Sequence, residues 1–158
     1  MSKKKTKLLV CVSQNEHCLG ALKYAALKAK KNNSLIEILT VIDTTGKDYN
    51  LFSVGEVIKR EKLANSENFI KDISSKVYEW SSGITPIINI KKGYISDEIA
   101  NTIESDKAIS LVVIGSSPES TSKGKLLNYL TEKIYSKLFI PMIIIPNSLT
   151  NLQIEQIT

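Results

Sequence analysis

The chain contains short runs in which every residue, or nearly every one, is apolar. Leu8-Leu9-Val10-Cys11-Val12, Leu111-Val112-Val113-Ile114 and Met142-Ile143-Ile144-Ile145 are the clearest. A strand with one wet face alternates apolar and polar residues. A continuous apolar run of four to eight instead marks a strand covered on both faces, which is the signature of a parallel sheet sandwiched by helices. Two further runs fit the same role, Leu35 to Ile42 and Ile84 to Ile90, the latter with Pro86 near its start, where an edge strand tolerates proline.

Between these runs the period changes from two to 3.6. Leu19, Leu22, Ala26 and Ala29 build one apolar face over Glu16 to Lys31, and Asn32-Asn33 stops it. A long helix is expected over about Ser53 to Ser81, with Phe69, Ile73, Val77 and Trp80 inward and Ile70 beside them. Lys91-Lys92-Gly93 is read as closing the third strand. Ser96 is then a candidate N-cap, with Asp97 and Glu98 in the first turn and Ile95, Ile99 and Ile103 as the buried stripe. A fourth strand is expected over Ala108 to Ile114, a fourth helix over about Lys125 to Leu138, and a fifth strand over Met142 to Ile145. The order β-α-β-α-β-α-β-α-β implies right-handed crossovers and an α/β, single-domain, doubly wound five-stranded parallel sheet, order 3-2-1-4-5, with helices on both faces. The domain covers residues 5–147, and 148–158 is a short polar C-terminal tail.

Composition narrows the function. The 158 residues are 42% hydrophobic and 23% charged, as in a soluble globular chain. No apolar run approaches the ~18 residues of a membrane span. The basic start lacks a signal-peptide cleavage site, so a cytoplasmic location and no membrane partner are expected. Of the net charge of +5, Lys3, Lys4, Lys5 and Lys7 supply four, and Arg60 is the single arginine. The remaining lysines look scattered, so no nucleic-acid partner is expected. Cys11 and Cys18 with one histidine, His17, cannot form a zinc site and read as buried thiols.

In a sheet of this order, ligands bind beyond the carboxyl ends of the strands where the winding reverses, here between the first and fourth strands. The residues offered there are Ser13, Gln14 and Asn15, and Gly115, Ser116 and Ser117. Val41 and Ile42 would give an apolar wall for a flat ring. Ser13, Ser116 and Ser117 read equally as turn residues or as ligand contacts. Lys123 and Lys125 read as solvated, and so does Asp43, the acid best placed to meet a ribose. There is no Walker sequence, no G-x-G-x-x-G after a strand, no Ser-His-acid set and no carboxylate cluster for a metal, so no catalytic residue is assigned.

Lys7 to Ala25, Leu35 to Ile42, Gly93 to Gly115 and the closing Phe139 to Pro146 together resemble the universal stress protein family over about residues 5–147. The resemblance implies a Rossmann-like, adenine-nucleotide α-hydrolase-like fold. Nucleotide-binding members carry G-x2-G-x9-G-[ST] after the fourth strand and an aspartate after the first. In this chain those positions are Gly115, Pro118, Asn128 and Tyr129, and Ser13. Proline lacks an N–H donor, and tyrosine puts bulk where a small hydroxyl would meet phosphate. The implied function is a stress-response binding or regulatory module with weak or absent ATP binding. The alternative is an ATP- or AMP-binding protein with a variant loop, in which Asn128 contacts the ligand, with slow hydrolysis. A nucleotidyl-transfer enzyme is disfavoured by the missing phosphate loop. Family members are commonly dimers through the last strand, which here means Met142, Ile143, Ile144 and Ile145, an apolar edge.

Overall fold

The computed structural model describes residues 3–12, 18–43, 54–116 and 138–158, with the backbone alone at 43, 54–66 and 116. Its elements are β1 (Lys7–Val12), α1 (Leu19–Asn32), β2 (Leu35–Asp43), α2 (Val54–Trp80), β3 (Ile87–Gly93), α3 (Ile95–Ser105), β4 (Ile109–Ser116), β5 (Met142–Pro146) and α4 (Asn151–Ile157). The five strands form one sheet in the order β3-β2-β1-β4-β5, and every neighbouring pair is parallel. The helix expected over 125–138 lies outside the described residues except for Leu138.

β1 shows why the apolar runs are continuous. Leu8, Val10 and Val12 face one core with Ala21, Leu22, Ala25, Ala26 and Ala29 of α1 and Ile70, Ile73 and Val77 of α2. Leu9 and Cys11 face the other core with Leu39, Val112, Ile114 and Ile99 of α3. Both faces of the strand are therefore dry, and the sheet is covered on both sides. The alanines of α1 let the helix lie close to the sheet. The helix ends where Asn33 turns left-handed (φ 55) and its N–H bonds to the Ala29 carbonyl, a role asparagine fills without much strain.

Several local expectations shift. Leu19 is 45% exposed, so the inward stripe of α1 starts at Ala21 and Leu22. β3 begins after Pro86 and runs through Lys91, Lys92 and Gly93, which pair with Val41, Ile42 and Asp43. Lysines suit this strand because it is a sheet edge, with room for their side chains to reach water. The N-cap of α3 is Tyr94 without a side-chain cap bond, so Ser96 lies inside the first turn. Gly93, at φ +144, makes the sharp exit from β3 that displaces the cap.

The tail forms α4. Thr150 accepts from the Gln153 N–H at 3.2 Å while its own N–H donates to Gln153 Oε1 at 2.8 Å, a reciprocal capping box. Ile154, 1% exposed, packs beside Gly20 and Ile145. Lys23 of α1 reaches Glu155 at 3.0 Å, and Lys31 donates to the Thr158 carbonyl at 3.0 Å. On this face α1 packs over β1, β4 and β5 and α2 over β2, and α4 lies against α1 with Ile154 beside Ile145.

Candidate functional site

The carboxyl ends of β1, β2 and β4 lie side by side. Val12, the last residue of β1, pairs with Thr40, and β2 continues through Val41, Ile42 and Asp43. On the other side Cys11 pairs with Ile114, and β4 continues through Gly115 and Ser116. The regular part of β1 thus ends between two longer neighbours. The step on the β2 side is about 10 Å, three residues at ~3.3 Å each. The winding of the sheet reverses between β1 and β4, beside this notch in the strand ends, and that is where a sheet of this order holds ligands.

Gly115 is half-buried and belongs to the strand rather than to the loop after it. It pairs with Ile145, and Ser116 pairs with Pro146. The strand is longer than its apolar run because β5 continues alongside and supplies partners for two more residues. Val41 is half-buried, pairs with Lys91 and packs against the α3-side core. Ile42 is 6% exposed and cannot offer much open wall. Ser13, Gln14, Ser117 and Asn128 lie outside the described residues, as do Pro118, Lys123, Lys125 and Tyr129. On β5, Ile145 is buried, Met142 and Ile143 are half-buried, and Ile144 is 39% exposed. Among the described residues no group of His, Cys, Asp or Glu could hold a metal ion, and no helix is long and apolar enough to cross a membrane. Cys11 and Cys18 are buried and not joined by a disulfide. Burial, and then the charge of Glu37, pushes the Cys11 thiol up to about 12, so it stays protonated and unreactive at neutral pH.

A separate concavity of about 300 Å³ lies where α1 and α4 meet, lined by Leu19, Gly20, Asn151 and Ile154 among others. At the opposite end of the strands from the notch sits a charged cluster that the sequence reading missed. Lys7 Nζ contacts Glu37 at 2.9 Å and also Asp106, and Asn89 donates to Glu37 at 2.9 Å. Its one signal in the sequence is an acid inside an apolar strand, Leu35-Ile36-Glu37-Ile38-Leu39.

Residues 5–146 match the model of the universal stress protein family, and the chain belongs to that family. Among solved structures it is similar to the universal stress protein UspA from Lactobacillus plantarum: 18% identity, 91% of this chain and 99% of that chain covered, TM-score 0.72. It is also similar to a universal stress protein in complex with cAMP (17%, 92% and 100%, TM-score 0.57). A third is the universal stress protein from Archaeoglobus fulgidus in complex with dAMP (14%, 89% and 97%, TM-score 0.59). A sequence search of curated proteins gives no match.

Proposed function

We propose that this universal stress protein is a cytoplasmic, homodimeric binding or regulatory module in which ATP binding is weak or absent. Residues 5–147 would carry the module and 148–158 an added clamp on its α1 face. The observation that carries this reading is in the sequence, at the positions that match the family's phosphate motif. Gly115 is kept, but Pro118, Asn128 and Tyr129 stand where small residues let a backbone approach a triphosphate, and Ser13 stands where nucleotide-binding relatives carry an acid. The dimer half of the proposal is supported by the two sheet edges. β3 is guarded by Lys91 and Lys92, whereas β5 has no charge, and Ile144 on it is exposed. An uncharged apolar edge is a site for strand pairing.

A second reading is favoured by the two relatives described with cAMP and dAMP, ligands that carry one phosphate each. An altered triphosphate loop would matter less for such a ligand, so AMP is expected to bind at least as well as ATP. Titration calorimetry of the purified protein with ATP and with AMP, each with and without magnesium, tests both readings. The first expects no saturable ATP binding below about 1 mM (about −4 kcal/mol). Micromolar ATP binding that Gly115→Val abolishes would overturn it. No binding of either nucleotide at millimolar concentration would remove the second.

A further inference from the structure

The lysines that look scattered in the sequence converge at the amino-terminal pole of the sheet. Lys3, Lys4 and Lys5 lead into β1 and are exposed. α1 ends at the same pole with Lys30 and Lys31, both exposed, and Lys107 is exposed in the turn before β4. Hydrogen bonds join these segments. The Leu35 N–H donates to the Thr6 carbonyl and the Lys7 N–H to the Ala108 carbonyl, each at 2.8 Å, and the Thr6 and Ser34 hydroxyls meet at 3.0 Å. The basic arm therefore runs between two turns, each about one strand spacing (~4.8 Å) away. The two turns are thus about 10 Å apart, close to the Debye length in physiological salt, so charges on them act together.

The acids nearby do not cancel it. Glu37 and Asp106 are engaged by Lys7, which is itself mostly buried. Lys31 spends one donor on the Thr158 carbonyl. Glu79 and Glu104, exposed near the ends of α2 and α3, are two acids against the exposed Lys3, Lys4, Lys5, Lys30 and Lys107. Thr6, Asn32 and Asn33 are exposed among the lysines and add neutral donors suited to phosphate oxygens. No large apolar side chain is exposed on the arm or on either turn, although Tyr78, Ile87, Ile88, Phe139 and Ile157 are exposed elsewhere at this end of the sheet. Lysine point charges without arginine forks or aromatic platforms give no base readout.

We propose that this pole is a sequence-independent docking surface for the phosphate backbone of a nucleic-acid duplex. It lies at the opposite end of the strands from the nucleotide crevice and stands or falls separately from the reading of that crevice. Fluorescence anisotropy with a labelled DNA duplex tests it on the full chain. The affinity is expected to drop roughly 40-fold between about 50 and 200 mM salt, as for about three neutralised phosphates. Lys30→Glu/Lys107→Glu should weaken binding by about tenfold or more. The charge-matched Lys71→Glu/Lys92→Glu, on exposed residues away from the pole, should change it less than about twofold. Circular dichroism and melting of both variants confirm that each is folded. Absence of duplex binding at the lower salt would overturn the proposal. Equal losses in the two variants would do so too, as would binding to phosphatidylserine vesicles without binding to the duplex.

Discussion

Glu37 is 5% exposed in the second strand, and its charge is tolerable there because Lys7 and Asn89 each bond one of its oxygens. Removing Lys7 alone leaves that carboxylate buried with half its partners. Lys7→Met is therefore expected to cost about 3 kcal/mol in urea unfolding, and the double change Lys7→Met/Glu37→Leu to recover most of it. The same cluster sets a pH dependence. The Lys7 hydrogen bond, followed by the Ala108 N–H, holds the Asp106 carboxyl below its ordinary 3.8. Burial alone would lower Lys7, but the bonds to Asp106 and Glu37 outweigh it and hold the ammonium above its ordinary 10.5. The Asp106 contribution is thus complete above pH 3.8 and lost as pH falls through the depressed folded value. The Lys7 contribution is complete below pH 10.5 and lost as pH rises through the raised one. Melting of Asp106→Asn against pH should show a lower Tm than the wild type at neutral pH and a flatter acid limb. An unchanged acid limb would mean that Asp106 is not the group responsible.

At the scale of elements, α4 is the part of the fold most open to test. Its seven residues are too few to be helical alone, so it depends on its cap and on burial of Ile154. Thr150→Ala is expected to cost about 1 kcal/mol and Ile154→Ala about 2–3 kcal/mol of global stability, read by denaturant midpoint. A Cβ on Gly20 would sit 3.4 Å from Ile154 Cδ1 and 3.5 Å from Ile145 Cγ2, ordinary contact. Gly20→Ala should then be tolerated, whereas Gly20→Phe should undock α4 and expose the Lys23–Glu155 pair. If Gly20→Phe leaves proteolysis of the tail unchanged, the packing account of α4 fails. The sheet and its order were legible in advance because strands with two dry faces have no polar alternation to confuse them. The tail was not, because one buried isoleucine among Asn151, Gln153, Glu155 and Gln156 carries almost no period. Nor were the ends of β3 and β4. Lys91, Lys92, Gly115 and Ser116 look like loop residues, and only the neighbouring strands supply partners that keep them extended. Of the residues expected to line the crevice, Val41, Ile42, Gly115 and the Ser116 backbone are among those described, and Ser13, Gln14, Asn15, Ser117 and Asn128 are not. Membership of Gly115 in β4 could not be read in advance, since it depends on how far β5 runs beside it.

At the scale of the molecule, the two sheet edges differ in kind, and the difference predicts how copies associate. Light scattering at tens of micromolar should give a dimer, and Ile144→Glu should shift it to monomer by at least about tenfold in dissociation constant. A wild-type monomer, or a dimer indifferent to Ile144→Glu, would contradict pairing through β5. The central claim concerns the crevice at the other end of these strands: a family scaffold whose altered loop has weakened its grip on a triphosphate. The most direct measurement restores the loop. Ser13→Asp, Pro118→Gly, Asn128→Gly and Tyr129→Ser are combined, and ATP affinity is compared with wild type by calorimetry. The account predicts no saturable ATP binding below about 1 mM for wild type and a gain of at least about tenfold (~1.4 kcal/mol) for the restored chain. Wild-type binding at micromolar ATP, or a folded restored chain no better than wild type, would contradict it.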